Sequence, residues 1–354
     1  MKKITFCIPS KSNLRYLKTC IPSIRENAYR KDHEIIIFVD SDEDGTVEWL
    51  EQVKDEYDLK YFVNDLGKLY GIGKAYDYCI EHSTTDVFMI FHADMMLGKN
   101  ADWKAYNHLK PKTVVCATRI EPPLHPNNGE KILIDFGMYP EEFKKEEFNQ
   151  YVEEHLDDLK TTNGVFAPWM MNKKEYLSIL GGHDPQLHSC REDSDLFNRM
   201  LLAGFNFIQP WNSLVYHLTG RGAGSFDGDP ERHRKWQEDM HNSTLAFIKK
   251  WGTNVQHTLL MKPIVSPVYK KSLKINNTNP NIGDLENTLN TWFNGGQDII
   301  VEVDANNFTS QDFQVIQQLN NIIKDSGEIG MFQIGNLKIT INNLTEYQDN
   351  LIYL

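Results

Sequence analysis

The sequence predicts an α/β protein: a doubly wound, mainly parallel sheet with helices on both faces, followed by a small C-terminal α+β appendix. Three observations predict it. Short apolar runs alternate with stretches of helical period over the first ~120 residues. The runs Ile35–Val39, within the strand Glu34–Val39, and Val87–Phe91 are continuously apolar, as strands buried on both faces must be. Each run ends in polar or acidic residues, at the carboxyl edge where open α/β sheets bind ligands.

Taken in order, residues 4–8 form a short buried strand closed by Pro9–Ser10, and Leu14, Leu17, Ile21 and Ile24 mark a helix over Leu14–Asn27. The strand Glu34–Val39 ends in the acidic turn Asp40–Gly45, before a helix over 47–57 and a strand over 60–63. A loop from Gly67 to Gly73 precedes a helix over 74–81, and the next strand delivers His92 and Asp94. After a strand at 113–118 the alternation breaks into a Pro-rich loop at 121–128 and a charged helix over 141–160. Residues 163–171 and the turn 180–185 lead to a helix over 192–203, strands at 207–210 and 213–217, and a long helix over 230–250. Residues 262–300 are rich in Asn, Pro, Thr and Ser. A strand at 298–303, a helix at 310–324 and a hairpin at 330–341 would build the appendix. The expected organisation is one domain over 1–255, with halves 1–118 and 119–255, an irregular connection over 256–297 and an accessory or oligomerising element over 298–354.

The 354 residues are 40% hydrophobic and 24% charged, an ordinary globular composition. The net charge of −12 argues against a general nucleic-acid binder, which needs clustered cations against phosphate. Five scattered cysteines without metal-like spacing point to free thiols in a reducing compartment. With no signal peptide and no apolar run near the ~20 residues that span a bilayer, a cytoplasmic location is expected.

Several motifs follow one another in a fixed order. They are Ile8–Pro9–Ser10–Lys11–Ser12–Asn13, Val39–Asp40–Ser41–Asp42–Glu43–Asp44–Gly45–Thr46, Gly71–Ile72–Gly73–Lys74–Ala75 and His92–Ala93–Asp94. Leu180–Gly181–Gly182–His183–Asp184, then Arg191–Glu192–Asp193–Ser194–Asp195–Leu196–Phe197–Asn198–Arg199, then His217 and Lys249–Gly252 complete the series. Over residues 3–252 this order resembles the family 2 glycosyltransferases, inverting enzymes of the GT-A fold that use nucleotide sugars.

The resemblance implies a nucleotide-sugar site formed by Pro9, Ser10, Asn13, Asp40, Asp42, Gly71, Lys74, His92, Ala93, Arg191 and Arg221. It implies a divalent metal, Mn²⁺ or Mg²⁺, held by Asp94 and His217; an oxygen and imidazole shell suits Mn²⁺. His92 stands where the family has the first acid of its DxD motif, so it either binds the ribose, ligates the metal or hydrogen-bonds nearby. Asp193 takes the place of the catalytic base, with Glu192 and Trp169 on the acceptor side. UDP is favoured by family frequency, and a glycan is the default acceptor; a hydroxylated DNA base is disfavoured by charge.

Plainer readings stand beside these. Asp40–Gly45 also reads as a solvated turn, the three acids of residues 192–195 as helix caps and His217 as a satisfied structural histidine. Trp169 also reads as core, and the glycine-rich loop around Arg221 as a surface turn. A sugar nucleotidyltransferase would carry a glycine-rich loop after the first strand, which Pro9–Asn13 lacks. A non-catalytic nucleotide-sugar or glycan-binding protein is the other alternative, supported by His92. Self-association through the C-terminal region is the expected protein partner.

Overall fold

The computed structural model describes residues 1–188, 190–220, 230–251 and 254–265, with strands at 273–277, 299–304 and 337–342. In chain order the elements are β1 (Thr5–Lys11), α1 (Leu14–Asn27), β2 (Glu34–Ser41), α2 (Thr46–Val53), β3 (Leu59–Val63), α3 (Ile72–His82), β4 (Val87–Ile90) and β5 (Met95–Leu97). Next come α4 (Ala101–Tyr106), β6 (Thr113–Cys116), β7 (Thr118–Glu121), β8 (Ile132–Leu133), α5 (Lys145–Glu154), β9 (Thr161–Thr162) and β10 (Trp169–Asn172). Then follow α6 (Lys173–Glu175), prolonged by a π turn over Tyr176–Leu180, α7 (Glu192–Leu202), β11 (Asn206–Pro210), β12 (Leu214–His217), α8 (Pro230–Trp251), β13 (Leu273–Asn277), β14 (Ile299–Asp304) and β15 (Leu337–Asn342).

The main sheet has the order β3-β2-β1-β4-β10-β6-β11-β9. Its first four strands are parallel, and β10 runs antiparallel between β4 and β6. Alternation along β1 and β2 explains why both faces need cover. Phe6, Ile8, Ile35 and Ile37 pack with Leu17, Ile21 and Ile24 of α1, Leu50 of α2 and Ala101 and Ala105 of α4. Cys7, Ile36 and Phe38 point the other way, onto Ala75, Tyr76, Cys79 and Ile80 of α3 and Leu196, Phe197 and Met200 of α7. Each fully buried Ile or Phe there contributes roughly 1.5–3 kcal/mol of transfer free energy.

A second sheet, β5-β12-β7-β8, covers a smaller core of Phe136, Phe148, Val152 and Tyr216. The chain passes from the main sheet to the second three times: between β4 and β5 through His92–Asp94, between β6 and β7 at Ala117, and between β11 and β12.

The chain divides into two compact units, Met1–Met240 with His257–Ile264, and His241–Gln256 with Val265–Leu354. In the second unit β13, β14 and β15 form a parallel three-stranded sheet. β13 lies within the stretch expected to be irregular; its alternating Leu273 and Ile275 carry the strand signal. The hairpin expected at 330–341 is corrected in part: Leu337–Asn342 pairs in parallel with Ile299–Asp304, whereas a hairpin partner would be antiparallel. Residues 330–336 and the helix expected at 310–324 lie outside the described residues.

Two elements of the first unit also differ from expectation. The charged helix over 141–160 is a 3₁₀ turn at Pro140–Glu142 followed by the shorter α5. Within α5 only Phe148 and Val152, one turn apart, are buried, and Leu159 beyond them is 86% exposed. The strand expected at 113–118 continues past a break at Ala117 as far as Glu121. No helix among the described residues is long and apolar enough to cross a membrane.

Candidate functional site

β4 is buried from Val87 to Ile90 because β1 and β10 flank it and helices cover both faces, so its first polar side chains appear only where the strand ends. His92 and Asp94 emerge there. The antiparallel register of β5 and β12 sets His217 opposite Met95, and the Leu218 N–H donates to the Asp94 carbonyl at 3.1 Å. Asp94 and His217 thus meet although 123 positions separate them in the chain. His217 Nε2 lies 3.5 Å and His92 Nδ1 4.0 Å from Asp94 Oδ1. One ligand atom from each of the three lies within 4.8 Å of the others.

Behind this group stands Glu121, at the end of β7, which runs parallel to β12. Its Oε1 accepts from His217 Nδ1 at 2.8 Å, while Lys131 Nζ donates to Oε2 at 2.8 Å and Arg119 Nε lies 3.3 Å from Oε1. Burial alone would raise the Glu121 carboxyl, but His217, Arg119 and Lys131 hold it well below the usual carboxylate range. Burial alone would lower the His217 imidazolium; Asp94 and Glu121 outweigh it and lift the group to about 9. His92 goes the other way, down to about 4, through burial and, against the pull of Asp94, the neighbouring His217 and Arg119. A carboxylate that fixes one imidazole nitrogen leaves the other aimed at a shared centre, the usual support of a metal-ligating histidine. One carboxylate and two imidazoles in this arrangement fit a divalent transition ion such as Mn²⁺.

At the end of β2, Asp40 accepts the N–H groups of Tyr70 and Gly71 at 2.7 and 3.0 Å and the Asn64 amide at 2.8 Å. It therefore organises the loop that leads into α3. Asp42 accepts the Thr46 and Val47 N–H groups at the start of α2, so both carboxylates already order main chain. Gly71 has φ +86°, and a Cβ there would lie 2.6 Å from the His188 carbonyl oxygen. That carbonyl accepts the Ile72 N–H, so the 71–73 loop and the 183–188 loop are packed together. Lys74 pairs with Asp77 at 3.0 Å. In β1, Pro9 is half-buried and Ser10 fully buried; Asn13 is buried at the entry to α1, and Ala93 between the two histidine-bearing strand ends.

Arg191, at φ +68°, turns the chain into α7. Glu192 is 9% exposed, its Oε2 has no hydrogen-bond partner, and burial followed by Asp193 pushes its carboxyl up to about 8. The adjacent Asp193 is exposed and accepts the N–H and hydroxyl of Ser194. Asp195 is fully buried on Arg199 at 2.8 Å, and Arg199 donates to the carbonyls of Leu180 and Gly182. Two neighbouring acids are thereby given opposite settings, one dry and protonated, one in water.

Trp169 is corrected: at 2% exposure its ring meets Phe88, Tyr176 and Phe197, so no face is open to a sugar. Arg221 and the loop around it lie outside the described residues. Sequence reasoning missed Glu121, Lys131 and Arg119, although β7 ends in an acid. It also missed Tyr76 and Asp77, polar positions on the buried side of α3 that its helical period places toward the sheet.

Residues 5–177 match the family model described as Glycosyl transferase family 2. No curated protein matches the sequence. Solved structures with a similar fold include TarS of S. aureus, at 10% identity and TM-score 0.47 over 72% of this chain and 40% of that one. The mannosyltransferase PcManGT of Pyrobaculum calidifontis, in complex with GDP-Man and Mn²⁺, aligns at 15% identity and TM-score 0.47 over 70% of this chain and 62% of its own. The chain therefore spans between two fifths and two thirds of the length of these two. Likenesses this distant carry nothing about ligands. Residues 5–177, just under half of the chain, carry the glycosyltransferase family 2 pattern.

Proposed function

We propose that the protein transfers a sugar, with inversion, from a nucleoside diphosphate sugar to a hydroxyl of a glycan, UDP being the favoured nucleotide. The observation that carries this reading is the convergence of His92, Asp94 and His217 at the strand ends of a family 2 chain. These three would hold a divalent cation, Mn²⁺ or Mg²⁺, with Glu121 orienting His217 from behind. Such an ion would offset the diphosphate charge against an acidic protein and stabilise the leaving group.

The reaction needs one base on the acceptor side. Asp193, exposed at the start of α7, takes the acceptor's O–H proton; that oxygen bonds the anomeric carbon as the bond to the diphosphate oxygen breaks. Glu192, protonated at neutral pH in its dry position, donates a hydrogen bond instead of accepting the proton. The N-terminal end of α7 favours the charge that Asp193 carries. Ser10, Asn13, Asp40 and Lys74 flank the carboxyl edge where the nucleotide would lie, with Pro9, Asp42, Gly71, Ala93, Arg191 and Arg221 completing the proposed donor set.

We assign catalysis to residues 1–255 and self-association to residues 298–354. Five free cysteines suit a cytoplasmic setting. Calorimetric titration with UDP, GDP and CDP, each with and without Mn²⁺, tests the reading. Manganese-dependent binding of one nucleotide is expected. Binding of none would favour a non-catalytic descendant of the fold.

A further inference from the structure

Two segments that lie far apart in the chain are fastened to each other at both ends. One is the start of α3, residues 71–77, which Asp40 anchors at the carboxyl edge through the Gly71 N–H. The other is the loop 182–188, which lies before Glu192 and Asp193. At one end the Ile72 N–H donates to the His188 carbonyl at 3.1 Å, where Gly71 leaves no room for a side chain. At the other end the Asp77 carboxylate accepts the His183 N–H at 3.0 Å and lies 2.8 Å from His183 Nδ1. The same carboxylate accepts from Lys74 Nζ at 3.0 Å on its own helix. The loop is held to α7 in turn: Arg199 donates to the carbonyls of Leu180 and Gly182 at 2.7 and 2.9 Å and to Asp195 at 2.8 Å. Lys74, Asp77, the 180–183 turn, Arg199 and Asp195 thus form one polar path, with both carboxylates buried, from the donor edge to the helix that opens with Glu192 and Asp193.

Apolar packing would hold α3 to the loop at less cost, since a buried carboxylate gives up its hydration. What the carboxylate adds is direction. Hydrogen bonds to a main-chain N–H and a ring nitrogen fix where the loop sits on α3, whereas apolar contact is non-directional. In-line displacement depends on such placement: the base must meet the acceptor oxygen opposite the departing diphosphate, and a misplacement of about 1 Å costs on the order of 100-fold.

We propose that Asp77 is a positioning residue for transfer: through His183 it sets the start of α7, and so Asp193, at its working distance from the sugar at the donor edge. This rests on the nucleotide-sugar reading and the Asp193 assignment given above. Asp77→Asn weakens the link to His183. Gly73→Ala sets a Cβ against that of His183, wedging the loop from α3 while favouring the helix itself, and serves where Asp77→Asn fails to fold. Tyr176→Phe is the control, because it removes a different hydrogen bond to Asp77 and keeps both contacts between Asp77 and His183. Single-turnover cleavage of UDP-glucose, UDP-galactose, UDP-N-acetylglucosamine and GDP-mannose is followed with Mn²⁺, water standing in for the acceptor. The water oxygen bonds the anomeric carbon, its proton passes to Asp193 and the nucleoside diphosphate leaves. For the sugar nucleotide that wild type cleaves fastest, Asp77→Asn and Gly73→Ala should slow this step roughly 10- to 100-fold with affinity within about twofold, and Tyr176→Phe by less than about twofold. Amide exchange at His183, read without substrate, should quicken about tenfold or more in Asp77→Asn and not in Tyr176→Phe. An unchanged rate in Asp77→Asn and Gly73→Ala, an equal loss in all three variants, a loss confined to affinity, which would trace to Lys74, or unaltered exchange at His183 would each overturn the positioning role alone. Failure of wild type to bind or cleave any of the four would bring down the nucleotide-sugar reading, and the positioning role with it.

Discussion

The carboxylate of Asp77, on α3, accepts the main-chain N–H of His183 at 3.0 Å, tying the donor-side helix to the loop that leads into α7. The same carboxylate lies 2.8 Å from His183 Nδ1 and accepts from the Tyr176 hydroxyl and the Lys74 ammonium. Gly73 and Gly182 permit the approach. A Cβ on Gly73 would lie 2.8 Å from the His183 Cβ, and one on Gly182 2.7 Å from an Asp77 oxygen. The two glycine motifs of the sequence thus face each other across one buried carboxylate.

Asp77→Asn should cost about 2–4 kcal/mol, because a buried acceptor of several donors loses its charge and half its accepting capacity. Burial alone would raise the Asp77 carboxyl, yet His183, Tyr176 and Lys74 bring it below the ordinary value of 3.8. Its contribution is therefore present above that pH and lost as pH falls further. Urea unfolding at pH 7 and pH 3 checks this: the gap between wild type and variant should be wide at pH 7 and narrower at pH 3. Equal gaps would mean that the carboxylate charge adds nothing to the fold.

Glu121→Gln should weaken Mn²⁺ binding by roughly 10- to 100-fold, the usual effect of removing the partner that orients a ligating histidine. Calorimetry with the metal alone reads this without turnover. An unaltered Mn²⁺ affinity would place the metal away from His217.

Glu192 supplies a pH signature. Its folded value of about 8 lies above its ordinary 4.5, under burial, the adjacent Asp193 and, in the opposite sense, Arg191; the Cys190 thiol and the buried Tyr76 phenol are further titratable neighbours. The fold therefore keeps a proton that the unfolded chain releases near 4.5, and wild-type stability falls as pH rises from there to about 8. Glu192→Gln removes that dependence, so the variant should gain on wild type by up to ~1.4 kcal/mol per pH unit across the window and hold level above it. Thermal unfolding between pH 5 and 9 is the measurement. A constant difference would show that Glu192 ionises in the fold as it does in the unfolded chain.

Asp193→Asn should lower transfer by at least ~100-fold, the low end for general-base catalysis, while affinity for the nucleotide stays within a factor of about two. Single-turnover rates with a radiolabelled sugar nucleotide, beside calorimetry, separate the two effects. Loss of nucleotide binding would move Asp193 from the acceptor side to the donor site.

The sequence by itself determined the strand and helix alternation, the burial of β4 and the emergence of His92 and Asp94 where it ends. These follow from local periodicity and from the polarity change at a strand's edge, which neighbouring residues carry among themselves. The order of the motifs was legible for the same reason, and it led to the family. Only the tertiary structure decided that Glu121 stands behind His217, 96 positions away, and that Asp77 joins His183 across 106. It also decided that Trp169 is core and that residues 141–160 do not make one helix. Contacts of that separation leave no local pattern, because they arise where two sheets and two loops are brought together by packing. A tryptophan or an acid reads the same in sequence whether its neighbours are water or another strand.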